Sequence, residues 1–354
     1  MHWKGRPNRL AGLSQADWAW QISRMTHRLL AAAAAFALIA PAAAQDAPPP
    51  AAEIPSPGEI VAAAPAGDWV AIAASDLLVM DLAPDAAGRP RRVVIQLMPA
   101  PFSQGWIGNI RKLAAAHWWD GTSINRVQDN YVVQWGDATE KKVLPEGLAV
   151  VPESDYVLAG TPIWALKRLI VNHEPQMTGD PYWRAGGYSF ASGVPVALDD
   201  VRLSGLPDPN PPRAWPVHCY GAVGVGRNLS PDTGSGAELY TVIGHAPRHL
   251  DQNIAVVGRV ISGIEYLSSL PRGTGGLGFY ENENERVPIA SIRIASDLPP
   301  AEQPKFEYLS TESRSFAKYA DARANRRDAF FIKPAGGADI CNIPVPVRAV
   351  ADSR

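Results

Sequence analysis

Apolar residues along this chain fall into short runs separated by turn residues. Residues 69–80 (WVAIAASDLLVM) and 92–98 (RVVIQLM) carry the β-branched, alternating character of strands, and APDAAGRPR between them is a turn signature, so a hairpin is expected. Over 103–116 the period changes: Trp106, Ile107, Ile110, Leu113 and Ala114 recur at helical spacing behind Ser103, an N-cap candidate. Strand-like runs follow at 122–127 and 131–135. From 140 to 217 the pattern loosens into scattered aromatics (Trp164, Tyr182, Trp183, Tyr188, Phe190), with one short helix expected at 163–171. Regular β-pattern resumes at 219–226, 238–243 and 254–261; a short helix at 262–270 and a strand at 288–294 come next. The stretch 312–330 is amphipathic and is expected to pack as a helix on the body formed by the strands. Many short strands, few helices and no internal repeat predict an antiparallel barrel or sandwich.

Composition narrows the partners. With 46% hydrophobic and 19% charged residues over 354 positions, most of the chain is expected to fold. The net charge of -2 supplies no bulk attraction to nucleic acid or to an anionic membrane. The N-terminal region carries a targeting pattern. Residues 25–44 (MTHRLLAAAAAFALIAPAAA) show a basic start at Arg28, an apolar run from Leu29 to Ala40, and a small-residue end before Gln45. That is the layout of a cleaved secretory signal, and the run is shorter than the roughly 20 residues that span a bilayer. An uncleaved anchor is the alternative. Residues 1–24 lie upstream of the signal, which points to Met25 as the true start, and 45–67 reads as a Pro/Ala-rich extended linker. The expected location is the periplasm or another exported compartment. There, Cys219 and Cys341 either pair as a disulfide or remain two buried thiols; so distant a pair with no CxxC does not suggest zinc.

Two motifs invite chemistry and fail on context. GAVGVG at 221–226 resembles a dinucleotide fingerprint, but RNLSPDTGSG follows it where a helix start is needed to meet a pyrophosphate. His245 and His249 stand four apart, but Pro247 between them breaks the helix that would make this a metal-ligand pair. There is no GxSxG, HExxH or P-loop motif. What remains is residues 124–139, INRVQDNYVVQWGDAT, with Arg126 closing one apolar run and Gln134 near the end of the next.

The order of elements around that segment resembles the cyclophilin family of peptidyl-prolyl cis–trans isomerases. The family hairpin G-R-V-x-x-E-L is echoed by GRPRRVVIQLM, and its helix E-N-F-R-x-L by GNIRKL. The motif Y-x-G-[ST]-x-F-H-R-V-x-x-x-F-x-x-Q-G-G-D-x-T is echoed by WDGTSINRVQDNYVVQWGDAT. Further on, GAVGVGRNLSPDTGSGAELYTVI and LDQNIAVVGRVISGIEYL follow the family's later motifs, so that 76–297 is covered in order. The resemblance implies a mainly β fold: a closed eight-stranded antiparallel barrel capped by two helices. Here it would span 68–300, carry a long insertion at 140–217 that lids or walls the groove, and end in an extension at 301–354.

It also implies a chemistry without nucleophile, metal or cofactor, acting on proline-containing polypeptides. By position Arg126 matches the catalytic arginine, Gln134 the motif glutamine and Leu250 the pocket leucine. Tyr131, Val132 and Tyr240 stand at apolar pocket positions, bringing two added hydroxyls. His249 stands where many members have tryptophan, and Ile254 where they have histidine or tyrosine. Asn125 replaces the motif histidine, Glu238 a glutamine, and Trp135 a glycine, which would set a bulky ring beside the site. The expectation is a monomeric, exported isomerase that assists folding; the alternative is a barrel that binds proline segments without turning them over. With His249 in place of the tryptophan, cyclosporin should bind weakly, and nanomolar inhibition of isomerase activity would contradict the alignment at that position.

Overall fold

A computed structural model of the chain describes residues 54–160, 187–199 and 212–350. The expected signal at 25–44 and helix at 163–171 lie outside the described residues. In chain order the strands are β1 (Trp69–Ala71), β2 (Leu77–Leu82), β3 (Arg91–Leu97), β4 (Ser123–Val127), β5 (Val132–Gly136), β6 (Leu158–Ala159), β7 (Gly187–Ala191) and β8 (Val194–Asp199). They continue with β9 (Arg213–Pro216), β10 (Ala222–Val225), β11 (Leu239–Val242), β12 (Val256–Ser262), β13 (Val287–Ile294), β14 (Phe306–Leu309) and β15 (Val347–Ala349). The helices are α1 (Pro57–Ala62), α2 (Gln104–Ala115), α3 (Glu265–Ser268) and α4 (Arg314–Ala324).

Eight strands close into an antiparallel barrel in the order β10-β11-β5-β4-β13-β2-β3-β12. Closure removes exposed strand edges and buries one face of every strand. Leu78, Met80, Val93, Ile95, Ile124, Val133, Val223, Leu239 and Ile292 share this core. Helix α2 adds the stripe that its periodicity predicts, with Trp106, Ile107, Ile110, Leu113 and Ala114 all buried. Trp106 also stacks on Tyr156 at 5.3 Å. Ser103 occupies the N-cap position but does not cap: its backbone is left-handed and its hydroxyl donates to the Val256 carbonyl at 2.7 Å.

The accessory parts depart further from the sequence reading. The single strand expected at 69–80 is broken by a turn at Ala74–Asp76. Its first half, β1, joins β14 and β15 in a three-stranded sheet; only the second half enters the barrel. The linker expected to be extended contains α1, because Ser56 and Glu59 form a reciprocal capping box around Pro57 at the first turn. Within the pattern-poor insertion lies a four-stranded sheet, β6-β9-β8-β7. Helix α4 does not pack on the barrel core. Its Phe316, Tyr319 and Ala320 join Phe190, Ala197 and Trp215 of the insertion, and Ile340 and Ile343 of the tail, in a second core.

A disulfide between Cys219 and Cys341, 122 residues apart, lies against that second core and ties the tail to the start of β10. Closing so long a loop restricts the unfolded chain more than the folded one. Replacing both cysteines with alanine is expected to lower unfolding stability by about 3–5 kcal/mol in denaturant melts. A loss below about 1 kcal/mol would mean that the second core holds without the link.

Candidate functional site

Strands β4 and β5 pair with a bulge: Ile124 faces Trp135 and Arg126 faces Gln134, leaving Asn125 as the extra residue. A bulge re-aims the side chains next to it. The carbonyl of Asn125 is used instead by Tyr280 N–H at 3.0 Å, and Arg126 bridges to Phe279, so the loop after α3 is stitched onto the bulged edge.

The Arg126 guanidinium is fixed by that arrangement. Its Nε donates to the Leu277 carbonyl at 2.8 Å, its Nη1 to Gln134 Oε1 at 3.2 Å, and its Nη2 to Gln128 Oε1. Of the five N–H groups of a guanidinium, these bonds engage three and leave two. The rings of Tyr131 and Phe279 lie 5.6 and 5.3 Å from its central carbon, within cation–π range. Burial draws its pKa below the usual arginine value, though the margin of an arginine keeps it charged.

An apolar patch adjoins this group. Val132, 2% exposed, and Tyr240, 5% exposed, belong to the barrel core, and Tyr131, Leu250 and Ile254 pack against it. His249 is exposed and its ring stacks on Tyr131 at 6.2 Å. The added hydroxyl of Tyr240 does not enter this patch. Burial pushes its pKa well above the usual tyrosine value, so it stays protonated, and its oxygen is hydrogen-bonded to His218 Nε2 at 2.9 Å. His218, fully buried, then presents Nδ1–H to Asp251 Oδ1 at 2.8 Å, while Asp251 Oδ2 accepts from Arg248 Nε at 2.7 Å. Space for the tyrosine hydroxyl comes from Gly224 on the paired strand, where a Cβ would sit 2.3 Å from it.

Trp135 does not stand where the sequence suggested. Adjacent residues on a strand face opposite ways. With Gln134 turned outward, the Trp135 ring is buried in the barrel core and not beside the site. The bulky substitution at the replaced glycine therefore fills the interior.

On the far side of Gln134 a polar groove of about 540 Å³ runs past Glu238, Asn125, Lys142, Arg227 and Arg286. The Glu238 carboxyl fits against Gly136, where a Cβ would lie 1.9 Å from its oxygen, and accepts the Asp137 N–H at 2.7 Å. Burial pushes Glu238 up to about 7, against hydrogen bonds from Asp137, Asn125 and Gln134 that favour the ionised form. Gln134 thus joins Arg126 to Glu238. Among the described residues no cluster of three histidine, cysteine or acidic side chains is placed to hold a metal.

The structure brings Arg126, Gln134, Tyr131, Val132, Tyr240, Leu250 and Ile254 to one region, with His249 at its exposed rim. Sequence reasoning missed Gln128, Leu277, Phe279 and His218. Gln128 was legible, two residues from Arg126 in the turn that joins the two apolar runs. The other three are joined to the site only by the fold.

Comparison with solved structures places the chain beside cyclophilins. A cyclophilin from Hirschia baltica superposes with a TM-score of 0.60 at 21% identity, over 81% of this chain and 95% of that one. Weaker likenesses are a Cryptosporidium parvum cyclophilin-type isomerase crystallised in the presence of the dipeptide Ala-Pro and a Mimivirus cyclophilin. Their TM-scores are 0.33 and 0.35 at 10% and 12% identity, over 61% and 63% of this chain and 98% and 90% of theirs. No curated protein matches the chain. Residues 92–296, more than half of the sequence, match the model of the family described as cyclophilin-type peptidyl-prolyl cis-trans isomerase/CLD, and the chain belongs to that family.

Proposed function

We propose that this isomerase acts on exported polypeptides and that Arg126 is its electrostatic catalyst. The observation that carries the proposal is the half-buried guanidinium, held on three sides at the edge of an apolar patch. A prolyl amide resists rotation with a barrier of about 20 kcal/mol because its C–N bond is partly double. Twisting it by a quarter turn breaks the resonance and returns a lone pair to the proline nitrogen. An N–H of Arg126 donates to that lone pair, which is available in the twisted state and not in either planar one. Stabilisation confined to the transition state is what accelerates the reaction.

In this reading Tyr131, Val132, Tyr240, Leu250 and Ile254 hold the proline ring, His249 flanks it, and Gln134 orients the peptide backbone. The Tyr240–His218–Asp251 chain keeps one wall of that patch from shifting. Two features support export: the signal pattern at 25–44, and a disulfide, which persists in oxidising compartments.

In a protease-coupled assay Arg126→Ala is expected to lower kcat/KM for an X-Pro peptide by about 100-fold or more, with unchanged far-UV dichroism. Wild-type turnover by that variant would refute the mechanism. A wild-type protein that binds proline peptides without speeding their exchange would favour the binding-module reading.

Glu238 makes a separate prediction. Its folded value of about 7 lies above the ordinary 4.5, so the folded state binds the extra proton between those values. Its cost to stability is absent below about pH 4.5 and fully present above pH 7. Glu238→Gln should therefore stabilise the protein at pH 8 by on the order of 2–3 kcal/mol and leave it nearly unchanged at pH 4.5. Equal shifts at both pH values in thermal melts would show that the carboxyl is not desolvated.

A further inference from the structure

Diametrically across the barrel from β4 lies β12, four strands away in either direction around the ring. Between the outer face of β3, β10 and β12 and the tail of the chain is a second cavity, of about 410 Å³. That is within the roughly 300–1,000 Å³ typical of small-molecule sites. Val217 and Ile261 line it together with Ile343 and Val345 of the tail, with the Cys219–Cys341 disulfide in its wall. It shares no residue with the region around Arg126.

The charges in this cavity are of one sign. Arg259 and Arg323 line it, and among the described residues no aspartate or glutamate does. Arg323 is occupied at the Asn342 carbonyl, to which its Nε and Nη2 donate at 2.8 and 2.6 Å. Arg259 on β12 donates from Nε to Gln96 Oε1 at 2.9 Å and from Nη1 to the Val345 carbonyl at 3.4 Å, while its Nη2 is enclosed without a partner. It forms no ion pair among the described residues. Burial draws its pKa down to about 10, which leaves it cationic at neutral pH.

A half-buried cation that meets only neutral acceptors has lost part of its hydration without gaining a counter-charge, and buried charges are as a rule paired. A carboxylate matches the planar fork of a guanidinium, and one negative charge costs less to desolvate than two. The surrounding apolar walls would take a hydrocarbon tail. We infer that this cavity binds a small monocarboxylate with an apolar tail, of the medium-chain fatty acid type, with Arg259 as its charge partner.

Calorimetric titration of the full chain with sodium octanoate, 1-octanol and sodium acetate tests this. Octanoate is expected to saturate at one site per chain and to bind at least about tenfold more tightly than the other two, since octanol lacks the charge and acetate the tail. Arg259→Met should weaken octanoate at least about tenfold and leave kcat/KM for a proline peptide within about twofold. Octanol binding as tightly as octanoate, no saturable octanoate binding, or an Arg259→Met variant with unchanged affinity would each overturn the inference. Should that variant fail to fold, the comparison of the three ligands on the unaltered protein decides the question by itself.

Discussion

The orientation of one guanidinium governs the site. Arg126 reaches three oxygen acceptors that come from the turn after β4, from β5 and from the loop following α3. None of them is a carboxylate, so the cation is positioned without being neutralised. A salt bridge would hold it as well but would offset the charge that the proposed mechanism uses. The bulge at Asn125 makes the geometry available, because it frees a carbonyl to anchor the loop that carries Leu277 and Phe279.

Around this centre the structure uses buried polar links to fix apolar surfaces. Tyr240 presents its ring to the patch and sends its hydroxyl backwards into His218 and Asp251. Asp251 in turn holds Arg248, so the wall of the patch is continuous with the accessory layer in which the insertion and the tail share one core. The disulfide crosses the same layer. The long insertion that the family resemblance placed beside the groove thus contributes, in its described part, a structural sheet with its own packing partners.

The barrel was legible in the sequence because its strands are apolar, short and bounded by turns, and because α2 shows an unbroken helical stripe. Arg126 and Gln134 were legible as well, as an ordered motif. What escaped depended on tertiary placement. The hairpin β7–β8 is interrupted by Ser192 and Gly193 and by Pro195, and its apolar partners Phe316 and Ile343 lie more than a hundred residues onward. His218 and Tyr240 are 22 residues apart, and their bond depends on the gap left by Gly224. Trp135 was misplaced for a simpler reason: reading it as a substitution near the proposed catalytic arginine overlooked that its strand neighbour Gln134 already faced outward.

In the proposed mechanism the fixed fork of Arg126, and not positive charge alone, lowers the barrier. Exchange NMR of an X-Pro peptide with Arg126→Lys tests this most directly, since lysine keeps the charge and loses the planar set of donors. This variant is expected still to bind the peptide, seen as line broadening on titration, while cis–trans exchange falls back to the uncatalysed rate. Exchange at the wild-type rate with lysine in place would contradict it.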